Sequence, residues 1–275
     1  MSVRTLAWAA NVLGGVEGVL RGCALAGRED ARWYGATVDT RKECSGRLFF
    51  AFSGEHTQGH LFAAEAIARG AVAVVVEDEG TAKRIEQSGN PCITVSDTLT
   101  ALQQLARAYR DVLDVSVVAI TGSSGKTTTK EYTRSILKRK YRVHGSPESF
   151  NSRIGVPLTL LETDEGNEYL VSEVGANRSG EIDQLAAMLR PDIGVITNIG
   201  EAHIGLFGSR DNIAAAKAEL LAHIRPSGYA VLPGDDEYLP LLAKHARCRS
   251  FTFGFSEGCN YRITNLELHP DCAEF

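Results

Sequence analysis

The sequence predicts an α/β protein in two domains, a mixed strand-and-helix domain followed by one built on a mostly parallel sheet. Three observations carry this. The chain has 275 residues, and at about 150 residues per domain that is enough for two cores. From residue 115 onward short apolar strands alternate with helical segments, the rhythm of a parallel sheet covered on both faces. Between the first strand and first helix of that run lies a glycine-bordered turn followed by a lysine and hydroxyls. In that context the N–H groups at a helix start can surround phosphate oxygens.

In the first domain, residues 1–112, segments 47–52 (RLFFAF) and 71–77 (AVAVVVE) read as strands. Segment 62–69 between them has helical spacing with Gly70 as its stop. Residues 92–95 form another strand, and Asp97 then stands where it can cap a helix whose Leu99, Leu102, Leu105, Ala106 and Tyr109 share one face. In the second domain, residues 113–275, strands are expected at 115–120, 169–174, 193–196, 229–232 and 250–253. Helices are expected at 126–140, 181–189, 212–223 and 237–245. Such sheets bind ligands at the C-terminal ends of their strands. Segment 261–275 opens a further alternating strand (YRITNLEL) and then stops, which is the pattern of an incomplete domain.

Composition removes several classes. At 44% apolar and 23% charged residues the chain is neither disordered nor a coiled coil. Twenty-nine basic against thirty-four acidic residues give a net charge of −5, so no global field draws it to a polyanion and no nucleic-acid partner is expected. Six cysteines are scattered without a Cys-x-x-Cys pair, which argues against zinc and against a disulfide framework. The apolar residues 6–10 are too short and too broken for a secretory signal. No apolar run approaches the ~18 residues of a membrane span. The expected location is cytoplasmic.

The most informative segment is TGSSGKTTT, residues 121–129. Gly122 and Gly125 permit a close turn through Ser123 and Ser124, and these four residues with Lys126, Thr127 and Thr128 are the expected nucleotide-binding set, the backbone N–H groups at the helix start surrounding the phosphate oxygens. Lys126 supplies a point charge to the terminal phosphates of ATP, and the Thr127 hydroxyl can ligate Mg²⁺. The strict P-loop pattern places a glycine where this chain has Ile120. What survives is T-G-x-x-G-K-T-T in strand-to-helix context; the alternative is a glycine-rich turn with a surface lysine.

Other residues are ambiguous taken singly. Glu173 ends an apolar strand, where a carboxylate is costly unless it meets a cation; it is either a metal ligand or a solvated strand-end glutamate. His203, in a strand-end loop, can ligate metal or hold a proton, or it can be structural. Lys217 lies in the helical run IAAAKAEL, where small neighbours admit something bulky, or where it is merely solvated. Asn151 by itself predicts a turn. His56, His60, His144, His223, His245 and His269 have weaker individual cases.

In order, TGSSGKTTTKE, SFNSRIGVPLTLLE, VSEVGANRSGEI, TNIGEAHIGLFGS and IAAAKAEL resemble the Mur ligases, the ATP-dependent amino-acid-adding enzymes of peptidoglycan synthesis. VDTRKECSGRLFFAFSGEHTQGHLF and AIARGAVAVVVE resemble that family's uridine-nucleotide-binding domain. The resemblance implies that Lys126 contacts the β/γ-phosphates and that Thr127 and Glu173 hold one Mg²⁺. It further implies that His203 and a carbamylated Lys217 hold a second, and that Asn151 lies near the reacting phosphate. Thr40, Arg41, Gly54 and His60 fall where the family contacts the uridine half. Thr40 replaces the usual serine, Gln58 the usual aspartate, and Ser152 a frequent second asparagine. GANRSGEI, AHIGLFGS and the SSGK loop favour the member that joins D-alanyl-D-alanine to UDP-N-acetylmuramoyl-tripeptide through an acyl phosphate. The alternatives are the member that adds the third amino acid, and a non-catalytic nucleotide-binding remnant. The family's C-terminal domain and the end of its central domain find no counterpart before residue 275. A monomer is expected.

Overall fold

A computed structural model of the chain describes residues 4–54, 58–147, 149–269 and 273–274. His56 and Cys272 lie outside the described residues. The chain forms two compact units, Met1–Asp114 with Arg153–Gly166, and Val115–Ser152 with Asn167–Phe275.

The first unit runs β1 (Arg4–Thr5), α1 (Leu6–Gly14), β2 (Leu20–Ala24), β3 (Arg32–Trp33), β4 (Ala36–Thr37), β5 (Leu48–Phe50), α2 (Ala63–Ala68), β6 (Ala73–Val76), α3 (Glu79–Gln87), β7 (Cys92–Val95) and α4 (Thr98–Val112). Its main sheet has the order β2-β7-β6-β5-β4, parallel except where β2 pairs antiparallel with β7. The apolar runs of β5, β6 and β7 are buried throughout, as central strands of such a sheet require. Asp97 caps α4 as expected, accepting from the Thr100 N–H at 2.6 Å. Leu102, Leu105, Ala106 and Tyr109 are buried along the helix. Helix α1, capped by Thr5 and closed by Gly15, and helix α3, capped by Asp78, are not among the elements expected from the sequence: α1 is apolar on most of its positions and α3 buries only Thr81, Ala82 and Ile85, so neither shows a long apolar stripe.

The second unit runs β8 (Ser116–Thr121), α5 (Lys126–Leu137) and β9 (Val143–Gly145). After α6 (Gly155–Glu162), which belongs to the first unit, come β10 (Tyr169–Glu173), α7 (Glu181–Leu189), β11 (Ile193–Ile196), α8 (Ile204–Phe207) and α9 (Arg210–Ala218). Then follow β12 (Tyr229–Pro233), α10 (Leu239–His245), β13 (Arg249–Gly254) and β14 (Tyr261–Arg262), with a separate pair β15 (Glu267–Leu268) and β16 (Ala273–Glu274). The seven strands order as β14-β13-β12-β11-β8-β10-β9, all parallel. The fold class is therefore the one the sequence predicts. Strand β8 lies between β10 and β11, with Ile120 opposite Glu173 and Thr121 opposite Ile196. The loops leaving these three strands consequently emerge side by side, at the point where strand order reverses.

Several expectations need correction. The helix expected to reach residue 140 ends at Leu137. The one expected over 212–223 divides into α9 and a 3₁₀ turn, Glu219–His223. The alternating segment from Tyr261 is not one strand: β14 ends at Arg262, and Asn265 takes a left-handed φ of 56°, which breaks an extended run. Helix α6 was missed because its residues 155–161 are buried on every side and so show no period. It packs with the first unit: the Tyr109 hydroxyl donates to the Thr163 carbonyl at 2.6 Å, and Arg47 pairs with Glu162. Among the described residues no helix is long and apolar enough to cross a membrane.

Candidate functional site

The turn after β8 is shaped by its glycines. Gly125 has φ +75° and stands at the N-cap of α5, a conformation that costs a side-chain-bearing residue energy. Gly122 has φ +152°, and a Cβ there would collide with the Thr197 hydroxyl. No side chain caps α5, so its first-turn N–H groups are directed outward with the positive end of the helix dipole. Lys126 folds back over the turn, its Nζ donating to the Gly122 carbonyl at 2.8 Å and to that of Ser123 at 3.4 Å. Burial lowers the Lys126 pKa, and the charge of Glu173 partly restores it.

Glu173 ends β10 and is 1% exposed. One carboxylate oxygen accepts from the Thr127 hydroxyl at 2.7 Å, the other from the Asn151 side-chain amide at 2.6 Å. Its own N–H donates to the Ser146 hydroxyl at 3.3 Å. The structure thus brings Lys126, Thr127, Asn151 and Glu173 into one cluster, and the solvated reading of Glu173 is excluded. A buried carboxylate held by two neutral donors beside a half-buried ammonium is a centre prepared for a cationic or phosphate-bearing ligand.

The loop leaving β11 holds the turn from its other side, a role not read from the sequence. Thr197 Oγ1 donates to the Ser124 carbonyl at 2.6 Å. Asn198 accepts the Ser123 N–H on its carbonyl and the Ser124 N–H on Oδ1, both at 3.1 Å, and its Nδ2 donates to Ser124 Oγ at 2.8 Å. Ser123 Oγ accepts from the Gly200 N–H at 2.8 Å and donates back to the Gly200 carbonyl at 3.2 Å. The N–H groups of Ser123 and Ser124, two residues of the expected nucleotide-binding set, are therefore engaged by this loop. The signal available in the sequence was a Thr-Asn pair directly after a strand in a chain that also carries a phosphate turn.

Lys217 is buried on α9. Burial, reinforced by the charge of nearby Lys126, pushes its pKa down to about 8. His203 is exposed and left-handed, φ 64°, at the start of α8. Among the described residues no hydrogen bond joins it to the cluster, and among them no group of three or more His, Cys, Asp or Glu gathers at metal-binding spacing.

In the first unit a cavity of about 450 Å³ is lined by Asp39, Thr40, Arg41, Phe49, Phe52 and Phe62, among others. Arg41 is exposed and grips Asp39 at 2.9 and 2.8 Å, which holds the Asp39 carboxyl down to about 2. Thr40 is buried; Gly54 and His60 do not line this cavity.

An all-parallel sheet with a glycine-lysine turn at its switch point, joined in one chain to a mixed α/β unit with an aromatic-lined cavity, defines a two-unit α/β protein of the P-loop-like class. The chain belongs to the Mur ligase family: residues 120–275 match the Mur ligase middle domain, and residues 33–110 match the Mur ligase family catalytic domain. A UDP-N-acetylmuramoyl-tripeptide–D-alanyl-D-alanine ligase of Bacillus subtilis (strain 168) is 40% identical over 242 residues, which are 88% of this chain and 52% of that protein. A crystal structure of MurF from Acinetobacter baumannii superposes with a TM-score of 0.82 at 32% identity, covering 99% of this chain and 57% of that one. MurF from Thermotoga maritima, solved in complex with ADP, gives 0.74 at 31% identity over 87% of this chain and 54% of that one. The chain spans about half the length of the curated relatives it matches.

Proposed function

We propose that this chain is the nucleotide-handling part of an ATP-dependent ligase that joins D-alanyl-D-alanine to UDP-N-acetylmuramoyl-tripeptide in peptidoglycan precursor synthesis. The observation that carries the reading is the convergence of Lys126, Thr127, Asn151 and Glu173 on one strand edge, in a chain 40% identical to a protein named for that reaction. In this reading the first unit, Met1–Asp114 with Arg153–Gly166, serves as the UDP-substrate domain and the second, Val115–Ser152 with Asn167–Phe275, as the ATP domain.

In this reading the first-turn N–H groups of α5 receive the triphosphate. Lys126 exchanges the Gly122 carbonyl for the β/γ-phosphates. The tripeptide carboxylate attacks the γ-phosphorus, ADP leaves, and the amine of D-alanyl-D-alanine attacks the resulting acyl phosphate. Loss of inorganic phosphate and of the amine's proton then leaves the amide. Lys126 neutralises charge as carboxylate and triphosphate are brought together, and Asn151 orients Glu173. The donor set suits Mg²⁺: Glu173 and Thr127 offer hard oxygen ligands, and this ion binds through one or two carboxylates while phosphates and water complete its shell. Bound there, Mg²⁺ supplies charge neutralisation to the phosphates. His203 and Lys217 would hold a second ion, Lys217 after its neutral amine has added to CO₂ and lost a proton to form a carbamate. Thr40, Arg41, Gly54 and His60 would contact the uridine half, with Phe49, Phe52 and Phe62 offering ring faces. The protein acts as a cytoplasmic monomer in this reading.

The test is calorimetric binding of ADP with Mg²⁺, followed by phosphate release from ATP, UDP-N-acetylmuramoyl-tripeptide and D-alanyl-D-alanine, with diaminopimelate or lysine as competing acceptors. Absence of nucleotide binding would falsify the reading. Because the chain spans about half the length of its relatives, nucleotide binding without ligation is the second reading, and the phosphate assay separates the two.

A further inference from the structure

The β11 loop that clamps the phosphate turn is itself gripped from behind. The peptide units flanking Ile199 are held at both polar ends: the Ile199 N–H donates to Asp236 Oδ2 at 2.9 Å, and its carbonyl accepts from Arg210 Nη2 at 3.1 Å. Ile199 lies between Asn198, which binds Ser123 and Ser124, and Gly200, which exchanges hydrogen bonds with the Ser123 hydroxyl. Any shift of the Ile199 backbone therefore moves the turn.

The two grips come from different elements. Asp236 follows β12, and its second oxygen accepts from the Tyr238 N–H at 3.0 Å, just ahead of α10. Arg210 is the first residue of α9, the helix that carries Lys217. Its Nη1 pairs with Glu237 at 2.6 Å and its guanidinium stands 5.4 Å from the Tyr238 ring centroid. Arg210 Nε is buried without a hydrogen-bond partner among the described residues. Leaving a guanidinium N–H unpaired costs stability, so the placement of this side chain is set by its other contacts, of which the Ile199 carbonyl is one.

We propose that Asp236 and Arg210 are positioning residues for nucleotide binding, acting on the phosphate turn through Ile199 and fixing the start of α9 to the same loop. This rests on the reading of the turn as a nucleotide site. Neither residue touches the phosphates in it; they hold the groups that shape the turn before the anion arrives, which is preorganisation.

The experiment is ADP and Mg²⁺ titration of the full chain by calorimetry, with melting measured in the absence of nucleotide. Asp236→Ala is expected to weaken ADP binding about tenfold, the range for loss of a charge-assisted hydrogen bond. Asp236→Asn keeps one of the two acceptors that Ile199 and Tyr238 share, and is expected to recover part of that affinity. Arg210→Met is expected to weaken binding without needing Asp236, and decides the matter if Asp236→Ala fails to fold. In the double variant Ser123→Ala with Asp236→Ala, the losses should not add, since one acts through the other. Folded Asp236→Ala and Arg210→Met proteins that bind ADP like the unaltered chain would overturn the proposal, as would losses in the double variant that simply add. If the unaltered chain binds no ADP, the nucleotide reading itself fails, a different result from variants that bind as well as their parent.

Discussion

Glu173 and Asp39 are both carboxylates beside a proposed ligand site, yet they are held in opposite ways. Glu173 is buried and takes its hydrogen bonds from residues 46 and 22 positions away. Asp39 meets water and is held by Arg41, two positions along the chain. The first arrangement exists only once β8, β10 and the loop before α6 have assembled. The second can form in an isolated turn. A buried, prearranged carboxylate loses little on meeting its ligand, because desolvation has already been met during folding. An exposed ion pair contributes little to stability, and its arginine is free to exchange one anion for another.

The contrast is sharpest at Lys126. Lys126→Ala should weaken nucleotide binding about a hundredfold in calorimetry, since a charged donor to phosphate is lost in a half-buried setting; unchanged affinity would remove the distinction between the two regions. Gly122→Ala comes next, because its Cβ meets the Thr197 hydroxyl at a positive φ. It should cost about 2 kcal/mol in urea unfolding and loosen the turn. The equivalent change at Gly27, φ 72° with open space around it, carries the backbone strain alone and should cost less.

Lys217 supplies a pH test. Its pKa is lowered from 10.5 to about 8, so the folded protein releases this proton before the unfolded chain does. Between those values the unfolded state binds more protons, and stability contributed by this group rises with pH from about 8 to 10.5 and is lost below. Amine-directed labelling of Lys217, read by mass spectrometry, should rise through pH 8, and labelled bicarbonate should yield a carbamate resonance that vanishes in Lys217→Arg. A reactivity that rises only near pH 10 would remove the basis for the carbamate. The smallest effect belongs to Arg41→Ala. It should leave the melting midpoint unchanged while the Asp39 carboxyl, held at about 2, returns toward the ordinary carboxylate range in an NMR titration. Stability from Asp39 is present above its ordinary pKa and lost as pH falls through about 2, a contribution that solvent screening keeps small.

Much of this molecule was legible before folding was considered. Strand β7, strand β11 and helix α7 fall where their apolar pattern put them, and Asp97 caps α4 because a short polar side chain before an amphipathic run has few better uses. The glycine-lysine turn between β8 and α5 was legible for the same reason: its glycines, lysine and hydroxyls act on one another across a few residues. Helix α6 was not, since a helix buried all round loses the period that betrays it. Nor was the strand break at Asn265, a single left-handed residue inside an alternating run.

Glu173 shows where local information ends. The strand and its terminal carboxylate could be read from YLVSE, but whether that carboxylate meets water or Thr127 depends on β8 and β10 lying side by side in parallel, and on a loop that returns Asn151 to the same edge. The Thr197–Asn198 clamp and the Asp236 and Arg210 grip behind it depend in turn on β11 pairing with the other flank of β8. Short-range chemistry fixes turns, caps and the period of each element, because those forces act between neighbours in the chain. Which polar groups are buried together is fixed by strand order, because desolvation acts on whatever the packed sheet encloses.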